Sequence, residues 1–139
     1  MKLLDTNVVV YALGGPHRYR EPCRRLFEDI ARGNSDYTID VELLQEVLYV
    51  YSARARRQTA YEVFDRLLQV FPEPLPIGRE DLQVARDLLE RWPRLSPRDS
   101  IHAAVVLNFG LDAIVTADKD LGEVEEVASL DPLELYGQA

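Results

Sequence analysis

Apolar residues recur along the chain in two patterns, short continuous runs and stretches with one apolar position every three or four residues. Residues 2–5 read as a short strand closed by a carboxylate. Thr6–Leu13 is open between two readings: Val8-Val9-Val10 suits an extension of the strand, whereas Thr6 and Asn7 suit the start of a helix. Residues 21–32 predict a helix with Pro22 in its first turn, an apolar stripe of Cys23, Leu26, Phe27 and Ile30, and Gly33 beyond its end. Residues 37–39 predict a second short strand. Asp40 then caps a long helix on which Val41, Leu44, Leu48, Tyr51 and Ala55 keep the 3.6-residue period. Leu43, Val47 and Val50 carry its apolar surface round most of the circumference.

A further helix over residues 58–70 turns Tyr61, Phe64, Leu67 and Leu68 inward, residues 75–77 form a candidate strand, and a helix over 80–91 turns Leu82, Ala85, Leu88, Leu89 and Trp92 to the core. Ser96-Pro97-Arg98-Asp99 opens the next helix, with Ser96 as N-cap, Pro97 at the first helical position and Asp99 in the first turn. That helix runs to Phe109 and stops at Gly110. Residues 113–116 and 127–130 predict two more strands. Strands alternating with helices predict an α/β fold with a mainly parallel sheet covered on both faces.

A length of 139 residues suits a single domain over 1–139, large enough to bury a core without staples. No apolar run approaches a membrane span. The N-terminus reaches Asp5 before any signal-peptide core forms, and Cys23 is the only cysteine, so the expected setting is cytoplasmic and reducing. A net charge of −8 argues against nucleic acid as a partner, until it is broken down. Residues 1–60 carry nine basic and eight acidic side chains, residues 61–117 six and nine, and residues 118–139 one and seven. Fourteen of the 16 basic residues are Arg, clustered at Arg18, Arg20, Arg24 and Arg25 and again at Arg54, Arg56 and Arg57. Such clusters suit either solvated helix faces or phosphate contacts. The acidity reads as a metal site plus a solvated tail.

Ligands of parallel sheets bind beyond the carboxyl ends of the strands. Asp5 ends the first strand, Asp118 and Asp120 follow the strand over 113–116, and Asp99 opens the helix leading there. Glu46 lies in the buried-looking helix, where a lone carboxylate is costly without a cation or donors. Like charges gathered in this way call for a metal, and oxygen ligands suit Mg²⁺ or Mn²⁺. Such a site serves in-line phosphoryl displacement, as in a nuclease or phosphatase. Each residue also has a local reading: Asp5 as a helix cap, Asp99 as a partner of the helix dipole, and Asp118 and Asp120 as turn residues.

The segments Leu3-Leu4-Asp5-Thr6-Asn7-Val8, Leu44-Gln45-Glu46-Val47, Arg98-Asp99-Ser100-Ile101-His102-Ala103-Ala104 and Val115-Thr116-Ala117-Asp118-Lys119-Asp120-Leu121 resemble, in order and spacing, the PIN-domain ribonucleases. At this size the resemblance is to the toxin component of VapBC-type toxin–antitoxin modules. It implies a three-layer α/β/α sandwich around a mainly parallel sheet of 4–5 strands. It implies Asp5, Glu46, Asp99 and Asp118 as an acidic quartet holding Mg²⁺ or Mn²⁺, with Asn7, Thr116 and Asp120 in support. Glu42, one turn before Glu46, competes with it, and the Leu-Gln-Glu context favours Glu46. His102 reads as a helix histidine near the edge of the site and not as a ligand. The implied activity is hydrolysis of RNA by a metal-activated water, and the implied partners are an RNA substrate, a small antitoxin and a second copy in a homodimer.

The rival readings are a PIN scaffold that binds RNA or protein without cutting, and an aspartate-dependent phosphatase or receiver-like domain. A haloacid-dehalogenase-like phosphatase wants a second Asp two residues after the first, where this chain has Asn7. A receiver domain wants its Asp on a central strand followed by a downstream Lys. Here Asp5 opens the chain, and Lys119 is the only such Lys.

Overall fold

In the computed structural model, which describes residues 1–137, the chain begins with β1 (Lys2–Leu4) and passes directly into α1 (Thr6–Leu13). The open segment is therefore a helix, and Asp5 decides it. Its extended backbone ends the strand while its carboxylate accepts the Thr6 N–H at 2.7 Å, and burial of Val8 and Val9 overrides their β preference. Next come α2 (Arg20–Ala31), β2 (Tyr37–Thr38), α3 (Val41–Ala53) and α4 (Arg57–Val70). They are followed by α5 (Arg79–Arg91), α6 (Pro97–Asn108), β3 (Ala113–Val115), α7 (Lys119–Gly122), β4 (Ser129–Leu130) and α8 (Pro132–Tyr136). The expected cap of α6 is present, with Ser96 accepting the Asp99 N–H. Gly110 ends that helix at φ +62, where a side chain would be strained.

The four strands form one parallel sheet in the order β2-β1-β3-β4. Neighbouring side chains on each strand point to opposite faces and join different cores. Leu4 and Val115 pack with α1–α4, whereas Leu3 and Ile114 pack with Leu88, Ala103 and Val106 of α5 and α6. The result is a three-layer α/β/α sandwich. From β1 the chain first moves outward to β2 and later returns to β3 on the other side of β1, so the order reverses between β1 and β3. A crevice opens beyond the carboxyl ends of strands at such a point.

Three expectations need correction. Residues 75–77 form no strand: Leu75 makes an isolated bridge to Asp40, and Pro74 and Pro76 on either side lack the N–H a ladder requires. The last strand is confined to Ser129–Leu130. Tyr61 and Leu82, expected inward, are each 50% exposed, because α4 rests on its neighbours through Ala60 and Leu67 and α5 through Ala85 and Leu88.

Candidate active site

The crevice between β1 and β3 is a cleft of about 480 Å³ whose lining includes Asp5, Thr6, Asn7, Glu46, Asp99, Asp118 and Asp120. The structure thus brings the four expected carboxylates and two of the supporting residues to one place. Thr116, buried just beneath, links them. Its hydroxyl donates to Asp5 Oδ2 at 2.7 Å and accepts the Asp118 N–H at 3.0 Å and the Asn7 amide at 3.3 Å. Asn7 Oδ1 in turn accepts the Ala117 N–H. The ends of β1 and β3 are therefore tied by side chains, and Asp5, with one oxygen capping α1 and the other on Thr116, has its orientation fixed. Asp118 Oδ1 accepts the Asp120 N–H at 2.8 Å, which caps α7 and makes Asp120 a neighbour in the same turn. Glu46 is 6% exposed and reaches the cleft; Glu42 is half-buried and outside its lining.

Crowding shows in the electrostatics. Burial, the charge of Asp5 and contact with Asp118 push the Asp99 carboxyl up to about 8. Burial likewise raises Asp5, although His102 and the Thr116 hydroxyl pull the other way. A cation in the cleft would favour the ionised form of both carboxyls.

The reading of His102 as a histidine at the edge of the site is overturned. The ring is 0% exposed and bridges two carboxylates, with Nδ1 at 2.7 Å from Asp40 Oδ2 and Nε2 at 2.9 Å from Glu46 Oε1. Nε2 also stands 3.7 Å from Asp5 Oδ1. Burial lowers its pKa, but Asp40, Glu46 and Asp5 outweigh this and hold it well above the ordinary histidine value. As an imidazolium it donates to both carboxylates. Asp40, also 0% exposed, caps α3 through Oδ1 and anchors the ring through Oδ2. Sequence reasoning assigned Asp40 only the cap. Its place just after the 37–39 strand, matching that of Asp5 after β1, is the signal that marks it as part of the site.

Residues 2–127 match the family profile described as the PIN domain. The chain belongs to the PIN-domain family. It is 35% identical over 119 residues to ribonuclease VapC13 of Mycobacterium tuberculosis, covering 86% of this chain and 91% of that protein. FitAcB from Neisseria gonorrhoeae shares the fold at a TM-score of 0.72 and 18% identity, over 95% of this chain and 98% of that one. VapBC2 from Rickettsia felis, solved bound to a promoter DNA fragment, does so at a TM-score of 0.72 and 18% identity, over 94% and 97%. Among the described residues no helix is long and apolar enough to cross a membrane.

The donor chemistry of this PIN cleft fits a hard divalent cation. All four candidate ligands offer carboxylate oxygens, and Thr6, which also lines the cleft, keeps its buried Oγ1 without a hydrogen-bond partner. Among the described residues no three carboxylate, imidazole or thiol groups form a ready cage around one point.

Proposed function

We propose that this chain is a metal-dependent ribonuclease, the toxin of a type II toxin–antitoxin pair, acting as one PIN-like domain over residues 1–139 in the cytoplasm. The observation that carries the reading is the convergence of Asp5, Glu46, Asp99 and Asp118 on one cleft, with the Asp99 carboxyl raised to about 8 by its neighbours. The 35% identity to a protein named ribonuclease VapC13 supports the activity. The solved VapBC2 likeness supports the expectation of an antitoxin partner. A homodimer is part of the same proposal.

Asp5, Glu46, Asp99 and Asp118 would hold Mg²⁺ or Mn²⁺, which supplies an activated water and offsets charge developing on the phosphate. The protein's part is orientation. Thr116 and Asn7 fix Asp5 and Asp118 relative to each other. Asp120 supports the Asp118 turn through its backbone N–H. His102 holds Glu46, which lines the cleft, through Oε1. A bound cation would favour the ionised form of Asp99, whose carboxyl is raised to about 8 by burial, Asp5 and Asp118. Incubation of purified protein with single-stranded RNA tests the proposal: cleavage with Mn²⁺, none in EDTA and none by Asp5→Asn is the expected result. Metal-independent cleavage, or full activity in Asp5→Asn, would overturn it.

A further inference from the structure

The same cleft has a basic rim. Arg54 follows α3, Arg94 lies between α5 and α6, and Arg98 stands in the first turn of α6; all three line the cleft and all three are exposed. Arginines beside a crowded set of carboxylates ordinarily collapse onto them. None does so here. Arg54 lies over the Tyr51 ring at 6.0 Å, Arg98 lies over the Tyr49 ring at 5.6 Å, and Arg94 reaches Glu123, outside the cleft, at 3.5 Å. Each guanidinium is held to a partner away from the carboxylates, which separates an acidic floor from a cationic rim. Tyr49 is 58% exposed, the most exposed large apolar or aromatic side chain described, and is one turn along α3 from Glu46.

We propose that Arg54, Arg98 and Tyr49 form a binding track for an unpaired RNA strand, in which the arginines contact phosphates flanking the scissile one and the exposed Tyr49 ring, beside Arg98, supports a base. The inference rests on the ribonuclease reading and adds to it the side chains that hold the strand. A planar guanidinium fork matches phosphate oxygens bidentately, and a base released from pairing stacks on an aromatic ring or on a guanidinium plane. A base in a duplex offers no free face to such a stack. The other arginine cluster is less suited to this role. Arg24 Nε donates to the Ala12 carbonyl and Arg25 Nη1 to the Tyr136 carbonyl, so both serve the fold.

The test compares wild type with Arg54→Ala, Arg98→Ala and Tyr49→Ala, using Arg86→Ala on α5 as a control outside the cleft. Binding is read by fluorescence anisotropy of a labelled single-stranded RNA and of the same sequence in a duplex, in EDTA at several salt concentrations. Cleavage kinetics are read separately with Mn²⁺. Each arginine variant is expected to reduce the slope of log affinity against log salt by about 0.7. Tyr49→Ala is expected to weaken single-strand binding on the order of fivefold or more. In cleavage, KM rises and kcat holds in all three, while Arg86→Ala and the duplex affinities stay at wild-type values. Unchanged KM and salt slope in the three variants, with an active wild type, would overturn the track and leave the ribonuclease reading standing. Loss of binding to a polyglutamate peptide with RNA kinetics unchanged would also overturn it, marking the rim as a protein-docking surface. A wild type that neither binds nor cuts RNA would overturn the function itself.

Discussion

Replacing His102 by alanine removes the donor between two carboxylates that have almost no access to water. Asp40 is 0% exposed and Glu46 6%, and the imidazole nitrogens stand 2.7 and 2.9 Å from them. Removing one partner of a buried ion pair costs about 3–5 kcal/mol, because the remaining charge keeps its desolvation penalty. For 139 residues the entropy of unfolding is about 0.3 kcal/mol per kelvin, so the midpoint of thermal unfolding should fall by about 10–17 °C. Uptake of a proton by one carboxylate would place the result at the low end. Circular dichroism melts of the metal-free protein at pH 7 measure the shift. The double variant Asp40→Asn/His102→Ala completes a cycle: with the Asp40 charge gone, loss of the ring should cost at least about 1 kcal/mol less. A fall below about 3 °C in the single variant, or strict additivity in the cycle, would refute the claim that the imidazole compensates these carboxylates.

Other outcomes follow from the same geometry. Folded-state pKa values above the unfolded ones at Asp5, Asp99 and His102 mean that the native protein binds extra protons, in the case of Asp99 up to about pH 8. Their contribution to stability is complete below the unfolded values and is lost as pH rises through the folded ones, for Asp99 around pH 8. The metal-free midpoint should therefore fall from pH 5.5 to 8.5, and a midpoint that rises would contradict the raised carboxyls. Addition of Mn²⁺ should reverse the trend, since coordination requires deprotonated carboxylates; calorimetry in two buffers should show proton release on binding. Glu46→Gln should weaken Mn²⁺ binding more than Glu42→Gln, because only Glu46 lines the cleft; equal effects by titration would remove the distinction. Thr116→Val keeps the shape but deletes the hydroxyl joining Asp5, Asn7 and Asp118, and should reduce RNA cleavage at least tenfold with kcat carrying the loss. A change confined to KM would argue against a role in orientation.

Much of the fold was legible because its signals are local. The Ser96-Pro97 helix start and Gly110 stop are decided within a turn of backbone, as is the Asp40 cap of α3. The placement of Asp5 and Asp118 at strand ends follows from short apolar runs closed by carboxylates, and a parallel sheet sends such ends to one edge. The state of Thr6–Leu13 was undecidable by the same local rules, since Val8 and Val9 favour a strand and Thr6-Asn7 a helix. The Asp5 cap on the Thr6 N–H settled it, with both valines buried against the core. The outward turn of Tyr61 and Leu82 has a similar cause: periodicity shows that a helix has an apolar face, but not how much of it a neighbour covers.

By itself, then, the sequence determined the α/β class, most helix limits and the carboxylates that reach the cleft. The tertiary structure alone decided what those carboxylates rest on. His102 meets Asp40 and Glu46 across separations of 62 and 56 residues, and no periodicity or cap signal spans such distances. The pairing exists because packing α6 against the strand ends shuts water out, and a carboxylate without water must find a donor in whatever side chain the fold brings beside it.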